Sequence, residues 1–138
     1  MILLDTNVVS DGLKKMPNIK VREWLDALEP TSLWISSVTV AELQIGVELM
    51  DDGKRKVDVL AGVDKALEYF ARRCVPFDAR AAYKYAGIIA SRRRIGRPIE
   101  AHYAQIAAIA LSAAFTLATL NTKDFEGIDG LMVIDPSA

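Results

Sequence analysis

Three acidic residues stand where carboxylates could do chemistry. Asp5 closes the short apolar run Ile2-Leu3-Leu4, Glu42 lies early in a segment with helical spacing, and Asp124 follows an apolar stretch that ends in Leu120-Asn121-Thr122-Lys123. Carboxylates gathered in a dry pocket disfavour one another and call for a counter-charge. An all-oxygen donor set suits a hard cation, magnesium or manganese. A divalent ion held by carboxylates is common equipment for hydrolysing phosphodiesters. The sequence therefore predicts that Asp5, Glu42 and Asp124 meet in space as catalytic and metal-binding residues. Thr6 and Asn121 are candidates to orient water, metal or phosphate by hydrogen bonding.

Each acid also has a plainer reading. Asp5 is placed to cap the helix after the first strand. Thr39-Val40-Ala41-Glu42 has capping-box spacing, so Glu42 could reach back to a backbone amide. Asp124 could cap a short turn. Asp11, Asp26, Asp51, Asp52, Asp58 and Asp64 read as solvated, and Asp78 as a helix cap. His102 reads as a part-exposed histidine at a helix start without an evident partner, and Cys74 as a core residue.

The elements that must position these residues follow from hydrophobic periodicity. Ile2–Leu4 reads as a buried parallel strand. A helix follows from Thr6 or Asn7 to about Gly12, and another spans 19–28, with Ile19, Val21, Trp24, Leu25 and Leu28 at helical spacing. Residues 33–36 form a second strand. Helices follow over 38–50 and over about 54–73, the second burying Val57, Leu60, Ala61, Val63, Leu67 and Phe70. A short strand lies within 72–77, and a helix runs from the Asp78 cap to Arg94. A loop covers 95–99 and a small-residue helix about 102–113. Strands are expected at 116–120 and 131–134. Strands alternating with helices predict an α/β/α three-layer sandwich around a small parallel sheet. Ligands bind such sheets at the carboxyl ends of the strands, where Asp5 and the Asn121–Asp124 stretch fall.

At 138 residues with 51% hydrophobic and 25% charged side chains, the chain reads as a single compact domain, 1–138. The net charge of −1 gives no global basic field, which leaves only local patches to meet a nucleic acid. Arg92, Arg93, Arg94 and Arg97 form one such patch. They are candidates to touch RNA, and they also suit the end of a helix on dipole grounds. Lys14, Lys15, Lys20 and Arg22 form a second. One cysteine excludes an internal disulfide framework and a cysteine-rich zinc site. No stretch reads as a membrane span or a signal peptide, so a cytoplasmic location is expected.

Four ordered stretches resemble the motifs of PIN-domain ribonucleases, specifically the toxin branch of bacterial type II toxin–antitoxin pairs. They are Ile2-Leu3-Leu4-Asp5-Thr6-Asn7, the run Ser36–Gly46, Gly96-Arg97-Pro98-Ile99 with Ala104–Ala110, and Leu117–Gly127. The resemblance spans essentially the whole chain. It implies a magnesium- or manganese-dependent endoribonuclease, a homodimer, and a small antitoxin that blocks the site from a groove between the helices of 38–70. One position departs from the pattern. Tyr103 stands where the family places an aspartate before Ala-Gln-Ile-Ala-Ala. A phenol is a poor ligand for magnesium at neutral pH and is bulkier than a carboxylate. Glu100, one turn earlier, is a possible substitute. The competing reading is a catalytically degenerate PIN-like module that binds antitoxin or RNA without cleavage. A phosphatase-type transfer through Asp5 would want a second aspartate at position 7, which is Asn. A Rossmann cofactor site would want a glycine-rich turn after the first strand.

Overall fold

The computed structural model describes Met1–Ala138. Five short strands make one parallel sheet: β1 (Ile2–Leu4), β2 (Leu33–Ser36), β3 (Cys74–Val75), β4 (Thr116–Ala118) and β5 (Val133–Ile134), in spatial order β3-β2-β1-β4-β5. Six helices connect them: α1 (Thr6–Gly12), α2 (Ile19–Asp26), α3 (Ser37–Glu48), α4 (Lys54–Tyr69), α5 (Ala79–Arg94) and α6 (Ala101–Ala113).

Side chains alternate across a strand, so neighbouring residues of β1 feed opposite layers. Leu3 and Leu117 pack with Ala81 and Ile88 of α5, Phe125, and the buried alanines and isoleucines of α6. Leu4 and Ala118 pack on the other face with Val8, Val21, Leu43, Val47 and Val63, drawn from α1 to α4. The result is the expected α/β/α sandwich. The small residues of α6 bring that helix close to the sheet, with Ala104, Ala107, Ala108 and Ala110 fully buried.

The chain leaves β1 toward β2 and β3 on one side and returns through β4 and β5 on the other. The carboxyl ends of β1 and β4 therefore flank the point where the strand order reverses, which is where open α/β sheets form a crevice.

Several boundaries differ from the sequence-based expectation. Helix α4 stops at Tyr69 rather than near 73. The Arg73 guanidinium folds back to donate to the carbonyls of Tyr69, Leu33 and Pro30, closing the helix end against β2. Val57, Leu60 and Ala61 are exposed, not buried, because Val63 in α4 and Phe70 just past its end face the core. Strand β4 ends at Ala118, since the Thr119 side chain turns the chain by accepting from the Asn121 amide. Strand β5 begins only at Val133, after the left-handed turn at Gly130. Asp11, expected to be solvated, is 4% exposed: its carboxylate accepts from the Asn18 amide and pairs with Lys14 at 3.6 Å.

Candidate active site at the sheet switch point

Asp5 is the first residue beyond β1, and its amide still bonds the Ala118 carbonyl of β4. It caps α1 as anticipated, with Oδ1 accepting from the Thr6 amide at 2.8 Å. Its second oxygen accepts from the Thr119 hydroxyl, also at 2.8 Å. Capping and site placement are thus the same geometry. The residue is 2% exposed. Burial pushes its pKa above the usual carboxylate value, opposed by the two hydrogen bonds and raised further by the charge of Glu42.

Glu42 is not the far end of a capping box. The cap of α3 is Ser36, whose hydroxyl accepts from the Thr39 amide, so Thr39 already lies inside the helix. Glu42 sits one turn further on and points across to α1, where its Oε1 accepts from the Thr6 hydroxyl at 2.8 Å. That hydroxyl also lies 2.9 Å from the Thr39 hydroxyl. Thr6 has one proton to give, and with it on Glu42, Thr39 must donate to Thr6. Two threonines therefore fix the carboxylate of a third residue across two helices.

Asp124 sits in a single 3-10 turn, Thr122–Phe125, after β4. Its amide bonds the Asn121 carbonyl, whereas its own carbonyl accepts from Arg92. Arg92 corrects one expectation. It is not an exposed RNA contact; it is 5% exposed and clamps three carbonyls, those of Arg97, Asp124 and Glu126. The guanidinium ties the loop before α6 to the turn that carries Asp124. Arg93, Arg94 and Arg97 remain exposed, and Arg97 pairs loosely with Glu126 at 3.4 Å.

Tyr103 belongs to this same cluster. Its ring meets Phe125 edge-on at 5.5 Å, which seats it beside the Asp124 turn. Burial raises the phenol pKa, and the charges of Asp124, Asp5 and Glu100 raise it further, with the nearby Asn121 side chain opposing. The phenol is therefore neutral at neutral pH. Thr6 joins Asp5 to Glu42 at the end of β1, and Tyr103 links this corner to the Asp124 turn, because its phenol feels the charges of both Asp5 and Asp124 and meets the Asn121 side chain.

Four members of the site were not evident from the sequence, Thr39, Thr119, His102 and Asn7. Thr39 and Thr119, both fully buried, hold Thr6 and Asp5. His102 does have partners: its ring lies 4.0 Å from Glu42 and 3.5 Å from Glu100. The only local sign of these roles is that each flanks a strand end or the third motif, because their partners lie far away in sequence. Asn7 staples the same corner, accepting from the Leu120 amide and donating to Thr119.

The donors are of the kind a hard cation takes, all oxygen and led by a buried carboxylate whose charge is disfavoured where it sits. Even so, no three His, Cys, Asp or Glu side chains close into a ready cage. Such a set fits a magnesium or manganese ion that keeps several of its waters.

A family model described as the PIN domain matches residues 2–131. A plasmid stability protein, StbB, of Pseudomonas syringae is 44% identical over 99% of this chain and 98% of its own length. Toxin FitB of Neisseria gonorrhoeae is 41% identical over 94% of both chains. A protein of Sinorhizobium fredii named VapC ribonuclease Y4jK is 38% identical over 99% of this chain and 97% of its own. Among solved structures, FitAB bound to an IR36 DNA fragment superposes with a TM-score of 0.92 at 39% identity, covering 100% of this chain and 96% of that one.

Proposed function

This chain belongs to the PIN-domain family, and from that premise we propose that it is a metal-dependent endoribonuclease of the toxin kind, held in check by a small antitoxin. The supporting observation is the Asp5–Thr6–Glu42 corner at the switch point of the sheet, which Tyr103 connects to the turn carrying Asp124. The name of the Sinorhizobium relative, a ribonuclease, points the same way. A bound magnesium or manganese ion would supply positive charge to the phosphate and a water of lowered pKa. Asp5 and Asp124 would hold that ion, with Glu42 nearby.

The chain's own groups supply positioning. The Thr6 amide and the Thr119 hydroxyl fix both oxygens of Asp5 in one orientation, and the Thr6 hydroxyl fixes Glu42. Asn121 and His102 present hydrogen-bonding groups beside the carboxylates. Exposed apolar residues on α3 and α4, Ile45, Leu49 and Leu60, suit an amphipathic partner helix, as expected for the antitoxin. A homodimer is part of the same proposal. No helix is long and apolar enough to cross a membrane.

A second reading is favoured by one observation. Tyr103 brings a neutral phenol to the carboxylate cluster, where the family pattern has an acid. The chain would then bind RNA or antitoxin without turnover. Metal linkage bears on the choice, because an ion that binds only the folded state raises its stability. Thermal melting in millimolar manganese should show a Tm several degrees above that in chelator, and Asp5→Asn should remove the increase. A Tm indifferent to metal would favour the second reading.

A further inference from the structure

Beside the carboxylate cluster opens a groove of about 1020 Å³ between α1, α3 and α4, and Thr6 and Glu42 form part of its wall. Lys14, Lys15, Lys54 and Arg55 line it as well. These four cations come from two stretches of chain about forty residues apart, and only the fold brings them to one surface. The acids in the lining are Glu42 and Asp58, so the groove is locally basic on a protein whose net charge is −1. Lys14 is paired with the buried Asp11, but Lys15, Lys54 and Arg55 make no ion pair.

The placement of Lys54 and Arg55 runs against helix stability. They occupy the first turn of α4, which contains no acid and whose Gly53 cap offers no side-chain acceptor. Cations at that pole oppose the helix dipole. Acids would suit that turn better, so helix stability does not account for these cations. The groove lining also contains no aromatic residue. It therefore offers no platform for stacking bases, and what it can hold is the backbone of a polyanion.

We propose that this groove, whose α3 and α4 walls the family resemblance also gives to the antitoxin, is the track for RNA phosphates on one side of the scissile position, with Lys15, Lys54 and Arg55 as contacts that a bound antitoxin would cover. The proposal rests on the ribonuclease reading and adds to it the path and the groups that grip the strand. It predicts sequence-tolerant, salt-sensitive binding along the groove. Target choice would then lie elsewhere in the molecule.

The test uses the full chain carrying Asp5→Asn, so that RNA is bound and not cut, and measures Kd for a labelled single-stranded oligoribonucleotide across a salt series. Each lost phosphate contact reduces the slope of log K against log salt by about 0.7. Lys54→Ala/Arg55→Ala should lower the slope accordingly, equally on uridine and adenosine homopolymers, and Lys15→Ala should lower it by one contact. A control removing two exposed cations away from the groove, Lys65→Ala/Lys84→Ala, should leave the slope unchanged. The Tm of the Lys54/Arg55 variant should equal or exceed the parent's, which separates lost binding from lost fold. The charge-preserving exchange Lys54→Arg/Arg55→Lys should retain the slope. Groove and control variants with equal slopes would overturn the track while leaving the ribonuclease reading intact. A parent that binds no RNA even at low salt would overturn both.

Discussion

Asp5 governs how the molecule responds to pH. Its pKa in the fold is raised above 3.8, chiefly by burial. Between that value and the raised one, the folded state holds a proton that the unfolded state has released, so stability falls as pH rises through the window. Asp5→Asn carries no such charge. The Tm difference between Asp5→Asn and the parent, measured without metal, should therefore move in the variant's favour as pH rises from about 4 toward 7. A pH-independent difference would show that burial costs this carboxylate nothing. Tyr103 makes the opposite demand, because its neutral phenol adds bulk and no charge to the cluster. Tyr103→Asp should strengthen divalent binding and RNA cleavage by roughly 10- to 100-fold, the usual scale for groups around a metal site. Calorimetric metal titration and a fluorogenic RNA assay, run beside the parent, would check this. Residue types at strand ends marked Asp5 and Asn121 in the sequence, while the departure at Tyr103 showed only against the family motif. Thr39 and Thr119 were not, because a threonine hydroxyl looks the same whether it caps a turn or steadies a carboxylate more than a hundred residues away.

At the scale of elements, most positions follow from period and caps. Asn18 caps α2 and Asp78 caps α5, each by accepting from the helix's first-turn amides, which are local acts that a sequence can display. What the sequence concealed were contacts from side chains to distant backbone. Arg92 lies in a run of three arginines that looks like one basic patch, yet it alone turns inward to carbonyls 32 and 34 residues further along. Hydrogen bonds to a charged group contribute about 1.5–3 kcal/mol each. Arg92→Ala should therefore cost about 3 kcal/mol or more in denaturant unfolding, and it should speed hydrogen exchange in the 124–126 turn. Arg93→Ala, on the exposed neighbour, should stay within about 0.5 kcal/mol. Equal effects would return Arg92 to the surface. The end of α4 teaches the same lesson, since periodicity continued to Arg73 but the Arg73 guanidinium closes the helix four residues earlier.

Across the whole molecule, strand order makes the site. With β1 central and the chain passing to β2 and β3 on one side and β4 and β5 on the other, the ends of β1 and β4 lie side by side. Residues 5 and 119 are thus hydrogen-bonded neighbours, and α3 leans Glu42 in from beyond β2. The alternation of strands and helices made the parallel sandwich readable from sequence. The approach of Asp5 to the end of β4 could be expected from strand ends, while the basic groove could not, because it joins α1 to α4 across the fold. With its ion bound, this corner is expected to cut RNA. The most direct measurement is cleavage of a single-stranded RNA by the purified chain across a manganese titration, with Asp5→Asn prepared identically. Cleavage should rise with manganese, stop with chelator, and fall at least 100-fold in Asp5→Asn, beyond the roughly 10- to 100-fold that loss of an outer partner of a metal site costs. Equal cleavage by both proteins, or none by the parent at any manganese concentration, would contradict it.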